Sequence, residues 1–309
     1  MRILVLGAGG VGGYLGARLQ EAGAEITFLV RQERKSLLMS RGLRLRSPFG
    51  DLHLQADFVT SEELKDKFDI ILLSSKAYDL ESAIGSIAPA MGAKSLVIPF
   101  LNGFAHLDRL DSRFGKGNVG GGVAQIAVTM TDEGDIAHLN RSHFFTVGSR
   151  SPEQEDAILE LGNLFKSAKI ESKVSQDIEQ EMWEKFVFIS TLAGATSMMR
   201  ADTGTILETD GGERLILGIL AECQGTASAC GHQIPEKNIS SYRDQLLKKN
   251  SRATSSMLRD IEQKKPTEGD HIIGDMIRRG HAGGLSMPFL EMAYCHLQAY
   301  ERMRLRKMS

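Results

Sequence analysis

Lys185 stands inside EMWEKFVFISTLAGATSMMR (181–200), between Trp183 and the run Phe186, Val187, Phe188. An amine in that company has two chemistries open to it. Its stem can lie along apolar neighbours with the ammonium in water, which is the commoner arrangement. Alternatively the ammonium is held inside, where desolvation lowers its pKa and fits it to donate a proton near neutral pH. The segment alone leaves both readings open. No proline interrupts it, and with its polar lead-in SQDIEQ the spacing predicts one helix of roughly seven turns.

A second constellation lies at the N-terminus. The short apolar run RILVL (2–6) ends in GAGGVGG, where Gly7, Gly9 and Gly12 give the G-x-G-x-x-G spacing and Gly10 lies within the turn. VGGYLGARLQEAG then reads as a helix, and EITFLV as a second strand. In such a unit the glycines make a tight turn, let backbone approach a pyrophosphate, and bring helix and strand together. The helix N-terminus presents free N–H groups to the phosphates. At the end of the second strand, where an acidic residue would accept from a ribose hydroxyl, the chain has Arg31. A guanidinium there suits a 2′-phosphate, so the expected cofactor is NADP(H). Further apolar runs are read as strands ending at Lys76 and at Asn102–Gly103. Polar residues just past strand carboxyl ends are where an open parallel sheet places its ligands, which makes Lys76 and Asn102 site candidates beside ordinary loop readings.

The remaining elements must hold these residues in place. LRLRS (43–47) and LHLQ (52–55) read as a hairpin, and NVGGGVAQIAVTMT, DIAHLN and HFFTVGS as strands of an antiparallel extension to the sheet. PEQEDAILELGNLFKSA is an amphipathic helix and KIESKV a last strand. Beyond residue 175 the pattern is helical throughout, with candidates at 176–200, 211–231, 236–248, 251–263, 267–280 and 288–307. The expected fold is therefore α/β: a Rossmann-type dinucleotide-binding domain over 1–175, then an all-α substrate and catalytic domain over 176–309. A cleft between two such domains is a usual place for a substrate to meet a nicotinamide.

Composition narrows the partners. Among 309 residues, 37 Lys plus Arg face 39 Asp plus Glu, a net charge of −2. That balance gives no electrostatic reason to expect nucleic acid or an anionic membrane. Three scattered cysteines match no zinc pattern, and none of the eight histidines has a partner at metal-ligand spacing, so no metal is expected. The odd thiol count fits a reducing, cytoplasmic setting. Glycines break the N-terminal apolar run, which argues against a signal peptide, and no run is long enough to span a membrane.

In order and interval, these motifs resemble the 2-dehydropantoate 2-reductase (ketopantoate reductase) family over essentially the whole chain. The matching elements are the glycine turn with Arg31, SSKAY around Lys76, LNG around Asn102, and EMWEKF around Lys185. TSSMLRDI around Ser256 and KPTEGDHIIGDMIRRG around Glu268, leading into GLSMP, continue the match. The resemblance implies an NADP-dependent oxidoreductase that reduces the ketone of a small-molecule 2-oxo acid, 2-dehydropantoate, to pantoate in pantothenate biosynthesis, without a metal. It implies Lys185 and Glu268 as catalytic residues, and Asn102 and Ser256 as substrate contacts. Lys76 is implied at the junction of cofactor and substrate, so Lys76 and Asn102 are expected at both. Hydride delivery leaves negative charge on the carbonyl oxygen, which an ammonium can stabilise and neutralise. A second copy of the chain is the only macromolecular partner expected.

The chain also departs from the family. Asparagines common four and eight residues after the lysine are here Ile189 and Ala193, while Thr196 is kept and Ser190 and Thr191 lie nearby. Losing two amides removes partners for a hydroxylated substrate. A different 2-oxo acid or an imino compound therefore stays open as substrate, as does a non-catalytic NADP-binding sensor.

Overall fold

The computed structural model describes residues 1–306, so Lys307, the end of the expected last helix, lies outside the described residues. The chain forms two compact units. One comprises residues 1–101 with 106–179, and the other 102–105 with 180 onward.

The first unit is built on the apolar run at the N-terminus, β1 (Arg2–Leu6), whose residues 3–6 are all buried. It pairs in parallel with β2 (Glu25–Leu29) and with β6 (Phe68–Leu73). With β5 (Asp57–Val59) and β7 (Met91–Pro99) at the edges, the parallel order is β5-β2-β1-β6-β7. Such a sheet is covered on both faces, so its strands read as near-continuous apolar runs, as ILVL and IILL do. Helix α1 (Gly10–Glu21) makes the first crossover, followed by α2 (Gln32–Arg41), α3 (Leu80–Ile87), α4 (Ala105–Phe114) and α5 (Glu155–Ser167).

The expected antiparallel extension is instead a second, mixed sheet. β9 (Ile136–Gly148) pairs antiparallel with β8 (Gly121–Met130) but parallel with β3 (Leu43–Arg46) and β10 (Glu171–Ser175). β3 in turn forms the expected hairpin with β4 (Leu52–Leu54). An isolated parallel bridge joins Val97 of β7 to Val119, two residues before β8. The cause of the difference is length. At 13 residues β9 offers one edge to β8 and divides the other between two short strands. Apolar alternation reports which face is buried and carries no information on which distant strand fills an edge. Tyr14, Phe28, Phe145 and Phe165 fill the core, with Phe145 edge-on to Phe100 at 5.7 Å between centroids.

In the second unit the expected helix around Lys185 is α6 (Ile178–Met199), 22 residues and about 33 Å long. It is followed by a short α7 (Thr203–Leu207), then α8 (Gly212–Ala229), α9 (Glu236–Leu246) and α10 (Ser256–Glu262). A π-helical turn over Asp270–Gly274 runs into α11 (Asp275–Ala282), and α12 (Pro288–Arg306) completes the described chain. The helix expected from 251 starts at 256 because Ser255 caps it, its hydroxyl accepting from the Leu258 N–H at 3.0 Å. Glu222 caps α12 from outside, its two oxygens accepting from the Phe289 and Leu290 N–H groups at 2.8 Å each. No helix among the described residues is long and apolar enough to cross a membrane.

Close approach at Gly12 is the strictest demand of the first unit, because a Cβ there would collide with the Gly7 carbonyl oxygen and the Ser74 hydroxyl. Backbone cannot move aside as a side-chain tip can. Gly12→Ala should therefore lower the unfolding free energy by about 1–3 kcal/mol, read from urea denaturation. A loss under about 0.5 kcal/mol would show that the turn yields.

Candidate functional site

In the first unit the glycine turn has the geometry its spacing suggests. Gly7 takes φ +89° and donates its N–H to the Leu29 carbonyl at 2.9 Å, a conformation L side chains rarely adopt. Gly9 is the N-cap of α1, and a Cβ on Gly7 or Gly9 would meet nothing within 4 Å among the described residues. Open backbone at the turn and close packing at Gly12 are the two conditions a pyrophosphate-binding turn needs, so these residues fit a dinucleotide. Gly10 begins the helix and lies closer to Val128, 3.1 Å from its methyl were a Cβ present.

Arg31 is the N-cap residue of α2, two residues beyond β2, with its side chain 76% exposed. Its guanidinium pairs with Asp79 at 2.9 Å. An ion pair this exposed contributes at most about 1 kcal/mol, so a doubly charged phosphate could take the guanidinium from Asp79 at small cost. Lys76 follows β6, which ends earlier than expected, at Leu73. It is half-buried at the head of a short 3-10 turn, its carbonyl accepting from the Asp79 N–H at 3.0 Å.

Arg34 was not singled out by its sequence. Its two terminal nitrogens donate to the carbonyls of Gly134 and of Ala8, each at 2.9 Å, so it ties the glycine turn to the loop between β8 and β9. The one local sign was its position one helical turn after Arg31, which by itself says nothing about contact.

In the second unit, Lys185 sits on α6 and remains half-buried. Burial lowers its pKa to about 8, and the Glu268 carboxylate acts in the opposite direction. Its neighbours on the same helix, Trp183 and Phe186, are 2% and 1% exposed. Phe104 packs on both, stacked on Trp183 at 4.7 Å and tilted to Phe186 at 5.8 Å. Phe188 turns away to Tyr242. Glu268 is buried at 8% exposure, and its carbonyl accepts from the Ile272 N–H at 2.9 Å as the π-helical turn begins. π-turns occur often at functional positions.

Asn102 belongs to this same unit although its strand, β7, belongs to the other and ends earlier than expected, at Pro99. The reason is the next residue. Gly103 has φ +81°, and a Cβ on it would stand 3.3 Å from the His271 carbonyl and 3.4 Å from the Phe186 ring. The loop thus runs against the helix that carries Lys185 and the turn that follows Glu268. Lys185, Glu268 and the Asn102 loop are therefore gathered together. Ser256 stands further off. It is exposed in the first turn of α10, whose buried cap Ser255 bonds to the Thr196 hydroxyl at 2.9 Å. Thr196 is about three helical turns along α6 from Lys185.

The stripe of α6 beyond Lys185 is apolar. Ile189 is half-buried and Ala193 is 4% exposed. Two of the three nearby hydroxyls are already engaged. Thr191 is fully buried and donates to the Val187 carbonyl at 2.8 Å, and the Thr196 hydroxyl donates to the Leu192 carbonyl at 2.7 Å and pairs with the Ser255 hydroxyl at 2.9 Å. Ser190 is fully buried as well, its hydroxyl without a hydrogen-bond partner among the described residues.

Comparison with known proteins bears on both units. The family model described as "Ketopantoate reductase PanE/ApbA" matches residues 3–152, and the model for the C-terminal part of that family matches 177–301. A Bacillus subtilis (strain 168) protein named only as an oxidoreductase, YkpB, is 36% identical over 97% of this chain and 99% of its own. The crystal structure of 2-dehydropantoate 2-reductase from Geobacter metallireducens GS-15 is 25% identical, with a TM-score of 0.88 over 97% of this chain and 99% of that one. D-mandelate dehydrogenase, solved with NADH and anilino(oxo)acetate, shares the fold at a TM-score of 0.88 and 20% identity, covering 98% and 99% of the two chains.

Lys185 should titrate near pH 8 rather than at its ordinary 10.5, followed by NMR of labelled lysine. Glu268→Gln removes the charge that favours the ammonium and should lower the midpoint further. The fold releases this proton near pH 8 while the unfolded chain holds it to 10.5, so this group's contribution to stability rises with pH across that window. A midpoint near 10.5 would place the ammonium in water.

Proposed function

The chain belongs to the ketopantoate reductase family, whose members are NADP-dependent reductases of 2-oxo acids, and we propose that its own reaction is the reduction of 2-dehydropantoate to pantoate with relaxed selectivity. The observation that carries the chemistry is an ammonium with pKa about 8 on a helix flanked by Glu268 and the Asn102 loop. The reduced nicotinamide supplies the hydride. Gly7, Gly9, Gly10 and Gly12 hold the pyrophosphate, and Arg31 reads the 2′-phosphate. Lys185 donates its proton to the oxygen of the ketone as negative charge develops there, and it is acidic enough at neutral pH to let that proton go. Glu268 keeps enough of the amine protonated to act. Asn102 and Lys76 orient the 2-oxo acid and also meet the cofactor, while Ser256, standing further off, is a substrate contact on the family resemblance alone. Pantoate made this way would enter pantothenate biosynthesis in the cytoplasm.

The apolar stripe of Ile189 and Ala193 supports a second reading, a 2-oxo acid with a plain branched side chain. A site that hydrogen-bonds a substrate hydroxyl discriminates strongly against its absence, whereas an apolar wall excludes a hydroxyl only weakly. With Thr191 and Thr196 committed inside the helix packing, Ile189 and Ala193 themselves offer the hydroxyl of ketopantoate no partner.

One set of kinetics tests the reading. Ketopantoate and its deoxy analogue should differ in kcat/KM by less than about 100-fold, and Lys185→Ala should reduce turnover of both by about 10²-fold or more with NADPH binding nearly intact. A ketopantoate preference of several thousandfold would show that the hydroxyl has found another partner. Tight NADPH binding with no turnover of any 2-oxo acid would leave the sensor. For the cofactor, Arg31→Ala should weaken NADPH by about 1–3 kcal/mol more than NADH, measured by titration calorimetry. Equal loss for both would remove Arg31 from the 2′-phosphate.

A further inference from the structure

Glu268 lies in a stretch that α12 grips on both sides. On the N-terminal side Thr267 donates its backbone N–H, at 2.7 Å, and its hydroxyl, at 2.8 Å, to one oxygen of Glu301. The other oxygen of Glu301 accepts from Nε of Arg304 at 2.9 Å, and the two side chains are only 28% and 16% exposed. Tyr300 adds a bond from its hydroxyl to the Lys265 carbonyl at 2.8 Å. On the C-terminal side the Tyr294 hydroxyl donates to Asp270 at 2.6 Å, and Asp270 also accepts from Arg278 at 2.9 Å.

These two grips are unequal. Asp270 and Arg278 are 70% and 53% exposed, and polar contacts so open to water constrain little. Glu301 is mostly buried, carries a charge, and takes two donors of a single residue on one atom, so it fixes both the backbone and the side chain of Thr267. The next residue is Glu268.

We propose that Glu301 is a positioning residue that holds Glu268 toward Lys185 through Thr267. Of these contacts from α12, the pair from Thr267 to Glu301 lies one residue before Glu268. The inference rests on the reading of Glu268 as part of the catalytic site. Its consequence is that a carboxylate at the far end of the chain sets how much of Lys185 is protonated, without touching substrate or cofactor.

Steady-state kinetics on the full chain, with Glu301→Ala, Glu301→Gln, Thr267→Val and Glu268→Gln side by side, test it. Glu301→Ala should lower kcat about ten- to hundredfold with the NADPH KM within about twofold, the scale of a group misplaced by about an ångström. Its alkaline limb should also move to lower pH, since a carboxylate no longer held near Lys185 raises the lysine pKa less. Glu301→Gln should restore most of the loss, because its amide oxygen accepts the same two bonds. Thr267→Val keeps the N–H bond and should lose only a few-fold, about the weight of one hydroxyl bond. A lower melting temperature in Glu301→Ala, with kcat and the alkaline limb unchanged, would make the contact purely structural and overturn the proposal. Should Glu301→Ala not fold, unchanged kcat and alkaline limb in Thr267→Val would overturn it equally. Unchanged turnover in Glu268→Gln would instead defeat the catalytic reading of Glu268 itself, with Glu301 left intact, and the positioning role would fall with it.

Discussion

A half-buried ammonium balanced against a buried carboxylate is the constraint on which the second unit turns. Burial alone disfavours the charged form of Lys185, and a lysine fully stripped of its charge could accept a proton but not donate one. Glu268 opposes that tendency from a position itself only 8% exposed, where an uncompensated carboxylate would be costly. The two groups therefore sustain each other. The π-helical turn follows Glu268, the Gly103 loop lies against that turn and the Phe186 ring, and Phe104 packs on Trp183 and Phe186.

Glycines carry much of the positional work, and they do so for different reasons. Gly7 and Gly103 take left-handed conformations, at φ +89° and +81°, to turn the chain where it leaves a strand. Gly12 has ordinary backbone but no room for a methyl group beside the Gly7 carbonyl. Gly274 closes the π-helical turn where a Cβ would stand 2.8 Å from the Asp270 carboxylate and 3.1 Å from the Tyr294 ring. Substitution at the first kind costs backbone strain, whereas at the second it costs packing.

The α6 stripe separates reaction class from substrate identity. In the proposed reaction, Lys185 sets what kind of step is available, while Ile189 and Ala193 set what kind of side chain is comfortable nearby. The two can vary independently because a proton donor needs only its own electrostatic surroundings. Discrimination needs partners for every polar group of the substrate. Helix periodicity makes this legible, since residues four and eight positions on lie along the same face.

The amino-acid sequence determined what depends on near neighbours. The glycine turn, the strand before it and the helix after it follow from a positive φ at Gly7 and from apolar periodicity. Arg31 falls two residues past β2, close to where the run EITFLV ends. The long helix around Lys185 was legible for the same reason, as was the all-α character of the chain beyond it. Which residues meet across the chain was decided only by tertiary structure. Arg34 reaches the Gly134 carbonyl 100 residues away, and β9 divides one edge between β3 and β10. Asn102 leaves the unit of its own strand because Gly103 fits against Phe186 and His271. Local pattern fixes which face of an element must be buried. The partner that buries it is chosen by shape and unsatisfied polar groups brought together in the folded chain, and no spacing along the chain records that choice.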